Sequence, residues 1–147
     1  MDDSASVADY FLRVLIAGGD ARVRRGLRAL LEAQLDIVVI GEAATAAQAA
    51  QCSTALRPSV VLLDLMLPTL EDGLAAVRFL AAHKRPCIAI SWRASLREVA
   101  LEMGASDFVE KGGSPEMVLA AIRGAGHAAD QRGSPPKRPK RRTEVCP

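Results

Sequence analysis

The stretch SVVLLDL, residues 59–65, decides the fold class of this chain. Its valine and leucine residues leave no polar face, as expected of a strand in a parallel sheet that is covered on both sides. The stretch CIAIS, residues 87–91, has the same character. Three further β-rich runs stand at residues 11–17, 37–41 and 107–111. Together these runs predict the strands of one parallel sheet.

Helical patterns separate the strand-like runs. In residues 21–34, apolar side chains recur at i, i+4, i+7 and i+8 from Val23, with arginines on the other face. Ser95 begins a stretch with the spacing of a capping box, and Ser114 precedes a proline as an N-cap would. The other helices are predicted over residues 44–56, 73–83, 95–103 and 115–128.

The alternation of strands and helices predicts parallel strands joined by right-handed crossovers. The predicted fold class is α/β, a flavodoxin-like doubly wound (βα)5 domain with a five-stranded parallel sheet in the order 2-1-3-4-5. We expect this domain to span residues 12–128, after an N-terminal extension of residues 1–11. Residues 129–147 are rich in Pro, Lys and Arg and poor in apolar residues, which predicts a basic, disordered tail.

Composition places the chain among globular proteins with an aliphatic core, since 50% of its residues are hydrophobic and only 3% are aromatic. The N-terminal residues show no basic region followed by an apolar one, and no apolar run approaches the roughly 18 residues that span a bilayer. These observations predict a cytoplasmic protein without a membrane segment. The cysteines lack the spacing of a zinc site, which argues against zinc binding.

The net charge of +2 hides an uneven distribution. Residues 130–147 contain six Lys or Arg and two acidic residues, whereas the first 129 residues contain 13 basic and 15 acidic ones. The basic run at residues 137–142 predicts either a solvated linker end or sequence-independent contact with nucleic acid. No aromatic residue interleaves the cations, so base stacking is not indicated.

Three polar residues stand where strands end, namely Asp64, Ser91 and Lys111. In a sheet of order 2-1-3-4-5 the carboxyl ends of these strands are neighbours, so the three side chains should converge. One interpretation is a buried Asp–Lys ion pair beside a helix-capping serine. The other is an aspartate nucleophile that accepts a phosphoryl group, whose oxygens the ammonium and the hydroxyl bind. No histidine is placed to activate Ser91, so the chain is not expected to be an enzyme.

The motifs VVLLDLMLP (60–68), IAIS (88–91) and GASDFVEK (104–111) resemble those of the receiver domain of bacterial two-component response regulators. The stretch that begins RVLIA (13–17) is similar to receivers joined to LuxR/NarL-type helix-turn-helix domains. The resemblance implies a (βα)5 fold and an aspartate that takes a phosphoryl group from a histidine kinase. It also implies a requirement for Mg²⁺ and switching of the face around the fourth helix and the fifth strand.

The resemblance implies a role for each matching residue. Asp64 corresponds to the phosphoacceptor and a Mg²⁺ ligand, Ser91 to the switch hydroxyl, and Lys111 to the phosphate-binding lysine. Phe108 corresponds to the aromatic residue whose rotamer is coupled to that hydroxyl. Met66 corresponds to the position whose backbone carbonyl ligates Mg²⁺.

The chain departs from the family pattern around this site. Gly18 and Gly19 stand where the family has the acidic pair that binds Mg²⁺, and they fit no phosphate-binding glycine motif. The nearest carboxylate is that of Asp20, which either bends inward as a metal ligand or caps the first helix. Trp92 follows Ser91 where the family has a small residue, so it either narrows access to the site or turns outward.

The loop PTLEDG, residues 68–73, has one residue more between its proline and its glycine than is usual in the family. Glu71 or Asp72 occupies this loop, and either is a candidate to contribute negative charge near the site. Mg²⁺ in proteins rests on carboxylates in near-octahedral geometry, so without the acidic pair its binding is predicted to be weak or absent. Phosphoryl transfer should be slow for the same reason.

The predicted function is that of an atypical single-domain receiver in phosphorelay signalling, which acts through contacts with a histidine kinase or another receiver domain. Homodimerisation stays open. One alternative is a phosphorylation-independent pseudo-receiver whose tail, at residues 137–142, binds nucleic acid. The other is a truncated relic of a LuxR-type DNA-binding regulator.

Overall fold

A computed structural model describes residues 11–130 as a parallel sheet with helices on both faces. The elements, in chain order, are β1 (Leu12–Ala17), α1 (Ala21–Glu32), β2 (Ile37–Ala43), α2 (Ala46–Leu56), β3 (Val60–Asp64), α3 (Leu70–Ala82), β4 (Cys87–Ser91), α4 (Arg97–Glu102), β5 (Asp107–Glu110) and α5 (Pro115–Asp130). The strand order is β2-β1-β3-β4-β5, which confirms the predicted flavodoxin-like topology. The predicted N-terminal extension and basic tail lie outside the described residues except at their inner ends.

The two faces of the sheet bury separate apolar cores because the side chains of β1 alternate. Leu15 and Ala17 join the core under α2, α3 and α4, whereas Val14 and Ile16 join the core under α1 and α5. β3 and β4 are buried along their whole length, which is why their sequences are apolar without alternation. No helix within residues 11–130 combines the length and apolar character needed to cross a lipid bilayer.

α3 begins at Leu70, earlier than the predicted start at residue 73. The hydroxyl of Thr69 accepts the N–H of Asp72 at 3.1 Å and donates to the carboxylate of Asp72 at 2.9 Å, which caps the helix. Glu71 and Asp72 therefore lie in the first turn of α3, where acidic side chains complement the helix dipole. The prediction that these two residues occupy a loop is wrong.

The predicted capping box at Ser95 does not form. A 3₁₀ turn occupies Ala94–Leu96, α4 covers only Arg97–Glu102, and neither begins with a side-chain capping bond. Leu96 is buried, and its N–H reaches the carbonyl of Arg93 at 3.0 Å. Local spacing predicted a longer helix, and the structure has a 3₁₀ turn followed by a short α-helix instead.

An ion pair ties α5 to the turn before β2. Arg123 donates through Nε to Asp36 Oδ2 at 2.8 Å and through Nη2 to Asp36 Oδ1 at 2.9 Å. These hydrogen bonds lower the pKa of the Asp36 carboxyl. The pair links residues that are far apart in the sequence and holds α5 against the sheet.

We expect Arg123→Gln to lower the free energy of unfolding by about 0.5–1 kcal/mol at neutral pH, because the pair is partly exposed. The pKa of Asp36 lies below the value of about 3.9 for an unfolded aspartate. The stabilisation by the Arg123–Asp36 pair is therefore present above about pH 4, and it is lost as the pH falls through the pKa of Asp36 in the folded chain. Urea unfolding of the wild-type chain and of Arg123→Gln, at neutral and at acidic pH, measures the difference in the free energy of unfolding. A stability difference that does not shrink in acid would contradict it.

Candidate functional site

The site is centred on the carboxylate of Asp64 at the carboxyl end of β3, which is only 4% exposed. Its Oδ1 accepts the N–H of Met66 at 3.0 Å, and its Oδ2 forms an ion pair with the ammonium of Lys111. Burying a carboxylate without partners would cost desolvation free energy. The Met66 N–H and the Lys111 ammonium are the partners that offset this cost. The structure thus brings together two residues that the strand order predicted to converge.

Ser91 completes the site from the end of β4. It is buried, and its Oγ accepts the N–H of Arg93 at 3.1 Å. Its backbone carbonyl accepts the N–H of Lys111 at 2.8 Å, which fixes the start of the β5–α5 loop. The ends of β3, β4 and β5 therefore present a carboxylate, a hydroxyl and an ammonium at one edge of the sheet.

Phe108 lies on β5 with its ring in the core under α2, α3 and α4. Arg97, the first residue of α4, donates through Nη1 to the Phe108 carbonyl at 3.1 Å. Its guanidinium lies 5.9 Å from the centre of the Phe108 ring. Sequence reasoning missed Arg97, because a single exposed arginine carries no signal of such a contact. The inward position of Phe108 is thus supported from α4.

The two glycines after β1 line the same site. A Cβ at Gly18 would lie 3.4 Å from the Cβ of Asp64, and a Cβ at Gly19 would lie 3.4 Å from the carbonyl oxygen of Met66. Side chains at these positions would therefore border the carboxylate and the carbonyl described above. Arg24 donates to the Gly18 carbonyl at 2.6 Å and to Glu42 at 3.0 Å, which fixes the turn from the outside.

Asp20 caps α1. Its Oδ1 accepts the N–H of Arg22 at 2.8 Å, and this bond is the main cause that lowers the pKa of Asp20. Of the two interpretations of Asp20, the structure therefore shows the helix cap. Within residues 11–130, no group of three or more His, Cys, Asp or Glu side chains is placed to hold a metal ion. The assignment of Asp20 as a metal ligand stays a prediction.

Most of the described chain matches a known family. The protein-family model described as "Response regulator receiver domain" matches residues 14–123 of the sequence. The chain belongs to the response regulator receiver domain family. The motifs that resembled this family in the sequence are thus those of a true member, and the receiver has the fold expected of it.

Curated relatives of this receiver are longer proteins. A protein-glutamate methylesterase/protein-glutamine glutaminase of Carboxydothermus hydrogenoformans is 36% identical over 105 residues, which are 68% of this chain and 29% of the relative. The transcriptional regulatory protein LiaR of Bacillus subtilis is 42% identical over 67 residues, which are 46% of this chain and 31% of LiaR. The chain spans about a third or less of the length of these relatives.

Solved receiver structures have the same fold. The response regulator domain of Thermotoga maritima CheB matches with a TM-score of 0.73 at 25% identity, over 80% of this chain and 97% of that one. A two-component response regulator of the LuxR family from Aurantimonas sp. SI85-9A1 matches with a TM-score of 0.74 at 26% identity, over 80% of this chain and 86% of that one.

Trp92 lies beside the Lys111 ammonium of the receiver site. Its indole is 67% exposed, and its ring centre lies 5.7 Å from the Lys111 ammonium. A Cβ on Gly112, which has a φ of +88°, would lie 3.0 Å from the indole, so a glycine here allows the close approach. Trp92 thereby borders a groove of about 310 Å³ between α1 and the start of α5.

Proposed function

We propose that this chain is an atypical receiver in which Asp64 accepts a phosphoryl group and Mg²⁺ binding is weak or absent. The observation that carries the proposal is the direction of the missing side chains at Gly18 and Gly19. Each would border a group that the receiver resemblance assigns to Mg²⁺, the Asp64 carboxylate or the Met66 carbonyl. A relayed signal would leave the receiver through contacts with a histidine kinase or another receiver domain.

The chemistry rests on the three residues at the strand ends. An Asp64 carboxylate oxygen forms a bond to phosphorus while the bond from phosphorus to the donor breaks, and the donor leaves with that electron pair. The Lys111 ammonium, now paired with Asp64, would move to the phosphoryl oxygens, and the Ser91 hydroxyl would donate to one of them. Ser91 ends β4 and Lys111 follows β5, so both groups stand at the same edge of the sheet as Asp64.

Charge balance supports a slow reaction. The incoming phosphoryl group is anionic, and Lys111 is the cation that already contacts Asp64. The guanidinium of Arg24 is engaged by Glu42 and the Gly18 carbonyl, so it does not replace a metal. Asp64 and the Met66 carbonyl alone do not fit the near-octahedral oxygen shell that Mg²⁺ requires. The proposed transfer therefore relies on the residues of the chain alone.

Intact-mass spectrometry with a small-molecule phosphodonor tests the proposal, with and without Mg²⁺. We expect a slow gain of one phosphoryl mass, little changed by Mg²⁺ and absent in Asp64→Asn. A rapid, Mg²⁺-dependent gain on Asp64 would show that the metal site works. An equal gain in Asp64→Asn would show that Asp64 is not the acceptor.

The nucleic-acid alternative rests on residues 137–142, which lie outside the described residues. No contact within residues 11–130 favours it over the phosphoacceptor proposal.

A further inference from the structure

Three arginines meet at the edge of the sheet opposite Asp64, where the strands begin. Arg13 lies in β1, Arg57 follows α2, and Arg85 precedes β4. Arg13 donates through Nη1 to the Arg57 carbonyl at 2.6 Å and through Nη2 to the Leu56 carbonyl, and Arg85 donates through Nη1 to the Pro58 carbonyl at 3.1 Å. These carbonyls hold the side chains of Arg13 and Arg85, and the exposed Arg57 lies close enough for its charge to lower the pKa of Arg85. The three residues are called here the arginine cluster.

The arginine cluster lacks balancing carboxylates. Among the described residues, the partly buried arginines outside the cluster, Arg24, Arg28 and Arg123, each pair with a carboxylate. Within residues 11–130 no carboxylate forms an ion pair with Arg13, Arg57 or Arg85.

A donor of Arg85 is also unsatisfied, since its Nε is buried without a hydrogen-bond partner among the described residues. Burial, and after it the charge of Arg85, lowers the pKa of Arg13, and burial followed by the charge of Arg57 lowers that of Arg85. Buried polar groups in native proteins are normally paired. The cluster therefore carries positive charge that an anionic group at its surface would balance.

We propose that the acidic N-terminal segment, residues 1–10, docks on the arginine cluster. The segment contains Asp2, Asp3 and Asp9 and no Lys or Arg. It continues directly into β1 at the edge of the sheet where the cluster lies, because Leu12 is the first residue of that strand. The charge of the segment complements that of the cluster.

The tether is short enough to bring the two together. Asp9 precedes Arg13 by four residues, which span at most about 14 Å of extended chain. A short tether of this kind gives an effective carboxylate concentration on the order of millimolar or more. A docked carboxylate would balance the cluster charge.

Nuclear magnetic resonance of the arginine Nε–H groups in the full chain tests the docking. We expect the signals of Arg57 and Arg85 to shift in the triple variant D2N/D3N/D9N. The matched control is E98Q/E102Q/E116Q, which removes the same charge from exposed helix positions. The control should leave both signals unchanged, whereas high salt should move the wild-type signals towards those of the triple variant.

Titration with inorganic phosphate provides the second readout. If the segment occupies the cluster, phosphate should bind the triple variant about tenfold more tightly than the wild-type chain, because the competing carboxylates are gone. Equal phosphate affinities would overturn the proposal and leave the cluster as a free anion site. The proposal would also be overturned if the Arg57 and Arg85 signals shifted no more in the triple variant than in the control variant. Neither result depends on phosphorylation of Asp64.

Discussion

Replacing Gly18 and Gly19 together by aspartate should turn this chain into a Mg²⁺-dependent phosphoacceptor, with a rate at least about tenfold above that of the wild-type chain. The Cβ atoms of the new side chains would lie 3.4 Å from the Asp64 Cβ and from the Met66 carbonyl oxygen. Their carboxylates would thus join the oxygen donors already present. The rate is measured by intact mass with a small-molecule phosphodonor at several Mg²⁺ concentrations.

Thermal unfolding gives a readout of the same variant that does not depend on phosphorylation. Without metal, the added carboxylates should repel Asp64 and lower the melting temperature, and Mg²⁺ should raise it again by mass action. The matched control is G26D/G124D, because a Cβ at Gly26 or Gly124 meets no atom within 4 Å. A double variant that gains neither rate nor Mg²⁺-dependent stability would show that the loss of these acids is not what limits the site.

Gly73→Ala should destabilise the receiver by about 4 kcal/mol or prevent folding. A Cβ on Gly73 would lie 1.8 Å from the carbonyl oxygen of Leu65 and 2.6 Å from its carbonyl carbon. The obstacle is backbone, so α3 would have to move away from the chain that follows β3. Urea unfolding followed by circular dichroism measures the change in the free energy of unfolding.

Gly26→Ala is the matched control for this prediction. Gly26 also lies inside a helix, but a Cβ there meets nothing within 4 Å. Alanine should therefore stabilise α1 by about 0.5–1 kcal/mol through its higher helix propensity. If Gly73→Ala were as stable as the wild-type chain, the close approach of α3 to Leu65 would be wrong.

The sheet could be predicted from the sequence because its signals are local. The unbroken apolar runs of β3 and β4 indicate burial on both faces, and the alternation with helices restricts the strand order. The starts of α3 and α4 were predicted less accurately than the strands. Thr69 caps α3 earlier than expected, and a 3₁₀ turn that ends at the buried Leu96 takes the place of the first turn of α4.

The convergence of Asp64 and Lys111 could also be predicted, because parallel strands bring their carboxyl ends to one edge of the sheet. The contacts of Arg97 with Phe108 and of Trp92 with Gly112 could not. Each depends on the rotamer of a long side chain, and that rotamer is set by neighbours from other elements.

By itself, the sequence determined the order of the elements, the family to which the chain belongs and the absence of an acidic pair after β1. Periodicity and short motifs encode these properties within a few residues. Only the tertiary structure decided where side chains at Gly18 and Gly19 would lie, and that three arginines meet without a carboxylate among residues 11–130. Such contacts join residues far apart in the chain, so they arise only when the packed elements bring those residues together.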